Sequence, residues 1–162
     1  MSSRRAAFES LALVGTLVLI GVAVWGLSTL PDSIAVRWGP DGTPEYGSKN
    51  MLLLLPAIGV LGYCLSGFAV SASIPRLNLP IKIVVTPENE AAVYALEREL
   101  MVALKAAVAF GFAGIEWQMV ASAGGTLSSG FIPTIVGFTT AVFALIAAYT
   151  VAIAKAAKPR PE

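Results

Sequence analysis

Four long apolar runs, separated by polar segments, constrain the fold of this chain more than any other feature. They cover residues 8–29, 51–74, 101–123 and 131–154, and each is close to the ~20 residues that a helix needs to cross a bilayer. Charged residues are 13% of the sequence, against about a quarter in soluble domains. We therefore predict an all-α membrane protein, with four transmembrane helices in one bundle and a single integral membrane domain over residues 1–162.

The first run follows Arg4 and Arg5, an arrangement that also occurs in signal peptides. Its length, and the similar runs that follow, favour a retained transmembrane helix. With one cysteine and no histidine, the chain lacks the ligands for structural zinc and the partner for an intramolecular disulfide. The net charge of +1 excludes a strong basic field for nucleic acid. We expect no metal, no cofactor and no nucleic-acid partner.

A polar segment, residues 30–50, connects the first two runs and is longer than a helical hairpin needs. Ile34, Val36 and Trp38 alternate with other residues as in a short strand. The sequence 39–42, Gly-Pro-Asp-Gly, is typical of a turn, and residues 43–46 can form the second arm of a hairpin. We predict a structured outer loop between helices 1 and 2. A simple connector with an interfacial Trp and Tyr is the alternative.

This segment resembles a domain of unknown function found at the N-terminal end of SdpI-like bacterial membrane proteins. Two positions depart from the family pattern: Ala35 replaces a usual Pro, and Arg37 replaces a usual His, so a metal or proton role of that His does not carry over. The residues that carry the resemblance are Leu30, Pro31, Ile34, Val36, Trp38, Gly42, Pro44, Tyr46, Gly47, Ser48, Lys49 and Pro56.

The third run extends toward its N-terminus as a helical pattern. Thr86 is the expected N-cap, Pro87 the first helical residue, and acidic residues occupy the first turn. Leucines recur at helical spacing from there, which predicts one long helix over residues 87–123 whose first third projects into water. The segment outside the membrane, residues 75–100, therefore consists of a loop followed by the first turns of this helix. Residues 81–85 within it are expected to be extended.

The distribution of Lys and Arg predicts the orientation. With four spans, one side of the membrane carries only Arg37 and Lys49. The positive-inside rule places the more basic side in the cytoplasm, so we expect a multi-pass protein of the cell membrane with both termini cytoplasmic and residues 30–50 outside. The cations on the cytoplasmic side are Arg4, Arg5, Arg76, Lys82, Arg98, Lys105, Lys155, Lys158 and Arg160.

Glu116 lies deep in the third run. A charge at that depth is costly and by default indicates a functional site, although hydrogen bonding within the bundle, with help from Gln118, is the alternative. Lys105, near the inner end of the same run, is expected to extend toward the headgroups. Aromatic residues near the span ends, Trp25, Trp117 and Tyr149, are expected at the membrane interfaces.

The resemblance implies a binding or sensing role in the cell envelope, such as immunity against a toxic peptide, and no enzyme activity. The alternative is a small transporter or an accessory subunit of a membrane complex, with Glu116 lining a path. Besides the lipid bilayer, the expected partners are a peptide or protein at the outer or cytoplasmic loop, or a second copy of the chain. The candidate binding residues are Arg37, Trp38, Asp41, Glu45, Tyr46, Lys49, Glu116 and Gln118.

Overall fold

The computed structural model describes residues 3–71 and 85–157. Within these ranges, four α-helices are long and apolar enough to cross a membrane, which confirms the predicted fold class. The predicted extended run 81–85 lies almost entirely outside the described residues, as do residues 158–162. The elements are α1 (Ser3–Thr29), β1 (Ser33–Trp38), β2 (Pro44–Ser48), a 3₁₀ helix (Lys49–Leu53), α2 (Leu54–Ser71), α3 (Glu90–Ala121) and α4 (Phe131–Ala156).

The large apolar side chains on the outside of the bundle show what surrounds it. Leu17, Leu61 and Phe143 are each at least 58% exposed, and they come from three different helices. In water such surfaces would form an apolar patch far larger than soluble proteins carry. The chain is therefore a multi-pass membrane protein, and these side chains contact the lipid bilayer.

Helices α1 and α3 run in the same direction and form the most extensive helix–helix contact among the described residues. A Cβ atom at Gly15 would lie 3.0 Å from the Cβ of Ala109, and one at Gly26 would lie 2.9 Å from a methyl group of Val120. Small residues allow such close approach between membrane helices, where packing drives association. These two contacts establish the register of α1 against α3.

Helix α4 packs on another face of α3. A Cβ atom at Gly111 would lie 2.2 Å from the Phe138 ring, and one at Gly114 would lie 3.0 Å from Thr134. Because α1 and α4 lie on different faces of it, α3 is the central helix of the bundle.

The start of α3 differs from the expectation. The helix begins at Glu90 after a turn, and Asn89 rather than Thr86 precedes its first residue, without a side-chain cap. The Thr86 hydroxyl donates to Glu88 at 2.8 Å instead. With 32 residues, α3 is the longest of the described helices, and it continues without a break into the membrane.

The inner third of α3 does not simply project into water. Glu97 is only 7% exposed, and the carboxylate of Glu99 accepts a hydrogen bond of 3.0 Å from the Tyr149 hydroxyl. Asn89 donates to the backbone carbonyl of Ala157 at 3.1 Å. The first turns of α3 therefore pack against the C-terminal end of α4, which the acidic composition of this stretch did not indicate.

Candidate functional site: the outer hairpin and a buried carboxyl group

The segment between α1 and α2 folds as a small hairpin. Strands β1 and β2 pair antiparallel, with an irregularity between Ala35 and Arg37. The turn closes through a hydrogen bond of 2.9 Å from the Gly39 N–H to the Thr43 carbonyl. Gly42 has a φ of +81°, a left-handed conformation that glycine adopts without a steric cost. The predicted turn and both arms of the structured loop are thus present.

One side of the hairpin is packed onto the outer end of the bundle. Ile34 is completely buried and forms a core cluster with Leu52, Val120 and Ala123. The Ala35 N–H donates to the carbonyl of Ala123 at 3.0 Å. The edge of β1 that does not pair with β2 is therefore hydrogen-bonded to the α3–α4 connection. The alternation of Ile34, Val36 and Trp38 in the sequence reflects the face of β1 that packs on the bundle, although Ala35 on the opposite face is buried as well.

Trp38 connects the hairpin to the α3–α4 loop. Its indole N–H donates to the carbonyl of Gly125 at 3.1 Å, and its ring centroid lies 6.2 Å from that of Phe131. Gly125 has a φ of +99°, and a Cβ atom there would lie 2.5 Å from the Tyr46 hydroxyl. This position therefore requires glycine for both its backbone conformation and its space.

Two more of the predicted binding residues, Lys49 and Asp41, have partners within the hairpin and at its ends. The Lys49 ammonium lies 3.1 Å from the Asp32 carboxylate and donates to the carbonyl of Leu30 at 3.3 Å, so it joins the two ends of the hairpin. Asp41 accepts from the hydroxyl of Thr43 at 2.7 Å and from its N–H at 3.2 Å. These bonds hold the pKa of Asp41 below its usual value, because they favour the charged carboxylate.

Three other predicted residues remain on the surface, and we refer to Arg37, Glu45 and Tyr46 as the outer patch. The guanidinium of Arg37 lies 3.6 Å from the Glu45 carboxylate, but their side chains are 76% and 61% exposed. An exposed pair of this kind adds little stability. Tyr46 is 58% exposed. All three side chains are thus available to a partner on the outer side.

Glu116 lies inside the bundle and is completely buried. Within the described residues, neither of its carboxylate oxygens has a hydrogen-bond partner. The register of α1 against α3 places it level with Val22, one helical turn deeper than Val120 of the core cluster. The structure thus brings Glu116 close beneath the hairpin, but it separates this carboxyl group from the outer patch by an apolar layer.

Gln118 does not form the hydrogen bond with Glu116 that was expected from the sequence. Its amide nitrogen donates to the Thr134 hydroxyl at 3.2 Å, and its amide oxygen accepts from the Ser128 hydroxyl at 2.7 Å. Two residues along a helix point about 200° apart, so the Gln118 side chain faces α4 when Glu116 faces α1. Gln118 therefore has a structural role between α3 and α4.

A stacked pair of tryptophans lies near the outer ends of α1 and α3. The rings of Trp25 and Trp117 are 5.6 Å apart and nearly parallel, and both side chains are about half exposed. Such amphipathic rings are typical of the membrane interface. Lys105 is twelve residues before Trp117 on α3, about 18 Å deeper by helical rise.

Lys105 does not extend freely to the headgroups as expected. Its side chain is 7% exposed and forms a salt bridge with Glu9 of α1. The Tyr63 hydroxyl of α2 donates to the same carboxylate at 3.2 Å, and the Lys105 ammonium lies 4.1 Å from the centre of the Tyr63 ring. Nothing in the sequence connects these three residues, because they are far apart in the chain and no spacing rule joins them.

This ion pair lies beside a cavity of about 350 Å³ between α1, α2 and α3. Lys105 and Tyr63 contribute to its walls, together with Thr16, Gly62, Ser66 and Phe112. Gly62 and Ser66 are the small residues of α2 that could have packed against another helix, but a Cβ atom at Gly62 would have no neighbour within 4 Å. Phe112 lies one turn below Glu116, so the cavity approaches that carboxyl group from the inner side.

The hairpin and the parts of α1 and α2 that flank it coincide with a known sequence family. Residues 13–60 match DUF1648, a domain of unknown function. This confirms the resemblance to such a domain, and the DUF1648 segment contains the whole outer patch but not Glu116. No curated protein and no solved structure matches the chain significantly.

Proposed function

We propose that this protein binds a partner at its outer hairpin, in a sensing or immunity role in the cell envelope, and that it is not an enzyme. The resemblance to the N-terminal domain of SdpI-like proteins supports this role. The class of partner that it implies is a membrane-active peptide on the outer side of the membrane. The DUF1648 segment contains the hairpin, which agrees with a function located there.

The observation that carries this proposal is that some side chains hold the hairpin in place while others are left exposed to a partner. Ile34, Trp38 and Lys49 hold it in place through buried or bonded side chains, whereas Arg37 and Tyr46 in the outer patch are exposed. A surface held rigid before binding loses less conformational entropy when a partner arrives. Tyr and Arg are also the residue types that contribute most to binding at interfaces.

The proposal needs the hairpin outside the cell membrane and both termini in the cytoplasm. In a Cys64→Ala background, which removes the native cysteine, we expect Ser48→Cys to react with a membrane-impermeant maleimide added to intact cells. Glu88→Cys, at the other end of the bundle, should react only after the cells are opened. The reverse pattern would refute this orientation. Ser48 and Glu88 are both exposed, so accessibility within the protein does not bias the comparison.

The outer patch can be tested in cells that express the chain and are challenged with membrane-active peptides. We expect expression to protect against at least one peptide, and we expect Arg37→Ala combined with Tyr46→Ala to abolish that protection. Both side chains are exposed, so the double variant should insert and accumulate at the parent level. Arg98→Ala is the matched control, because it removes an exposed arginine at the opposite end of the bundle. Unchanged protection in the double variant would exclude the outer patch as the binding surface.

A second candidate is a small transporter or accessory subunit of a membrane complex, with Glu116 lining a path. The unpartnered carboxyl group and the cavity that approaches it from the inner side favour this candidate. The neighbouring genes distinguish the two: a toxin gene or a DNA-binding repressor supports the binding role, and transport genes support the second candidate.

A further inference from the structure

Glu116 combines complete burial with the absence of any donor to its carboxylate among the described residues. A charged carboxylate without partners in an apolar medium is strongly disfavoured, whereas the neutral acid loses much less on leaving water. Native structures rarely leave a buried polar group unpaired, and each such group calls for an explanation. We propose that Glu116 is a proton-binding site of the membrane bundle and is a neutral carboxylic acid at neutral pH.

At the level of Glu116, α1 has no charged group and no free hydrogen-bond donor. At the level of Glu116, α1 presents Val22, with the buried residues Leu19 and Ala23 nearby. The nearest hydroxyl group of α1 on the buried face belongs to Thr16, deeper in the membrane, and it donates to the carbonyl of Ala12 at 2.8 Å. The tight contacts at Gly15 and Gly26 enclose this level from below and above.

Among the described residues, the other elements packed against α3 do not supply a cation to this site either. The 3₁₀ helix contributes Leu52 and the start of α2 contributes Pro56, both buried, and proline has no N–H to donate. The nearest lysines of the described chain are Lys49, which pairs with Asp32 in the hairpin, and Lys105, which pairs with Glu9 about 16 Å deeper by helical rise. On α4, Thr134 faces Gln118, on another face of α3.

This inference does not depend on the proposed binding role of the hairpin, and it deepens the second candidate by naming the proton as the species that Glu116 binds. A protonated carboxyl group in an apolar site also has a characteristic reactivity. It transfers its proton to a nitrogen of a hydrophobic carbodiimide, and the resulting carboxylate adds to the central carbon. The acyl group then moves from oxygen to nitrogen, so the product is a stable N-acylurea and nothing leaves.

Infrared spectroscopy decides the protonation state directly. The difference spectrum between the parent protein and Glu116→Gln, recorded in phosphatidylcholine nanodiscs at pH 7, should contain the carbonyl band of a neutral carboxylic acid that shifts in heavy water. Glu97→Gln is the matched control, because it removes the other strongly buried carboxyl group of α3, and its difference spectrum should lack this particular band. Carboxylate bands in the Glu116→Gln difference spectrum would overturn the proposal.

Reaction with dicyclohexylcarbodiimide provides a second, independent measurement. We expect an adduct of one carbodiimide on the peptide that contains Glu116, its loss in Glu116→Gln and its retention in Glu97→Gln. A water-soluble carbodiimide should leave Glu116 unmodified, since water does not reach the site. Labelling of other carboxyl groups with none at Glu116, together with carboxylate bands in the infrared spectrum, would show that the group is ionised. Failure of peptide protection in cells would leave both results unchanged, so this inference and the proposed function can fail separately.

Discussion

Glu9→Met is expected to lower the free energy of unfolding by at most about 3–5 kcal/mol, the cost of removing one partner of a fully buried ion pair, because only Lys105 of this pair is buried. The Lys105 ammonium would lose its carboxylate partner and keep only the Tyr63 ring at 4.1 Å. Its side chain is 7% exposed, whereas that of Glu9 is 38% exposed. The reverse change, Lys105→Met, should therefore cost less, because the remaining carboxylate is nearer to water and keeps the Tyr63 hydroxyl as a donor.

The double variant Glu9→Met, Lys105→Met removes both charges together, so that neither is left without a partner. Comparing it with the two single variants gives the interaction energy of the pair. Replacing both members of a buried ion pair with apolar residues is often neutral or stabilising, so we expect the double variant to be more stable than Glu9→Met alone. Chemical denaturation in mixed micelles gives all four free energies of the cycle. If Lys105 instead extended to the headgroups, Glu9→Met would cost little and the two changes would be additive.

This ion pair shows where sequence reasoning reached its limit. The four spans and the long α3 follow from apolar runs and helical spacing, which are local properties of the chain. The contact between Glu9, Tyr63 and Lys105 depends on the relative rotation of three helices. Lys105 at the inner end of a span has an equally good alternative in extending to the headgroups, and the sequence contains nothing that separates the two.

In the candidate site, too, the local structure was predictable and the contacts between distant residues were not. The turn at residues 39–42 and the alternation of Ile34, Val36 and Trp38 predicted a hairpin with one buried face, and the hairpin is present. An anchoring role of Trp38 follows from this alternation, but that Lys49 also holds the hairpin and that Tyr46 stays exposed could not be predicted. The partners of Trp38 and Lys49, Gly125 in one case and Asp32 with Leu30 in the other, became visible only with the packing of the loops.

Ile34→Ala is expected to release the hairpin from the bundle while the helices stay folded. Ile34 is completely buried in the cluster with Leu52, Val120 and Ala123, and truncating such a side chain to Ala typically costs about 2–5 kcal/mol. The α1–α3 contacts at Gly15 and Gly26 do not involve Ile34. The cost should therefore fall on the local equilibrium between the docked and the open hairpin, as in other cases of local unfolding.

Trypsin cleavage measures this equilibrium. Arg37 lies within β1 and pairs with Glu45 of β2, so β1 must leave the hairpin and the bundle before the protease can bind it. When opening is fast relative to cleavage, the cleavage rate follows the population of the open form, and about 1.4 kcal/mol corresponds to a factor of ten. We expect Ile34→Ala to accelerate cleavage after Arg37 by at least about tenfold. Ile34→Val, which removes one methylene, should have a much smaller effect, and Tyr46→Ala should be close to the parent since its side chain is mostly exposed. Equal cleavage rates in Ile34→Ala and the parent would mean that the hairpin does not depend on this cluster, and its rigidity could then not support the proposed binding role.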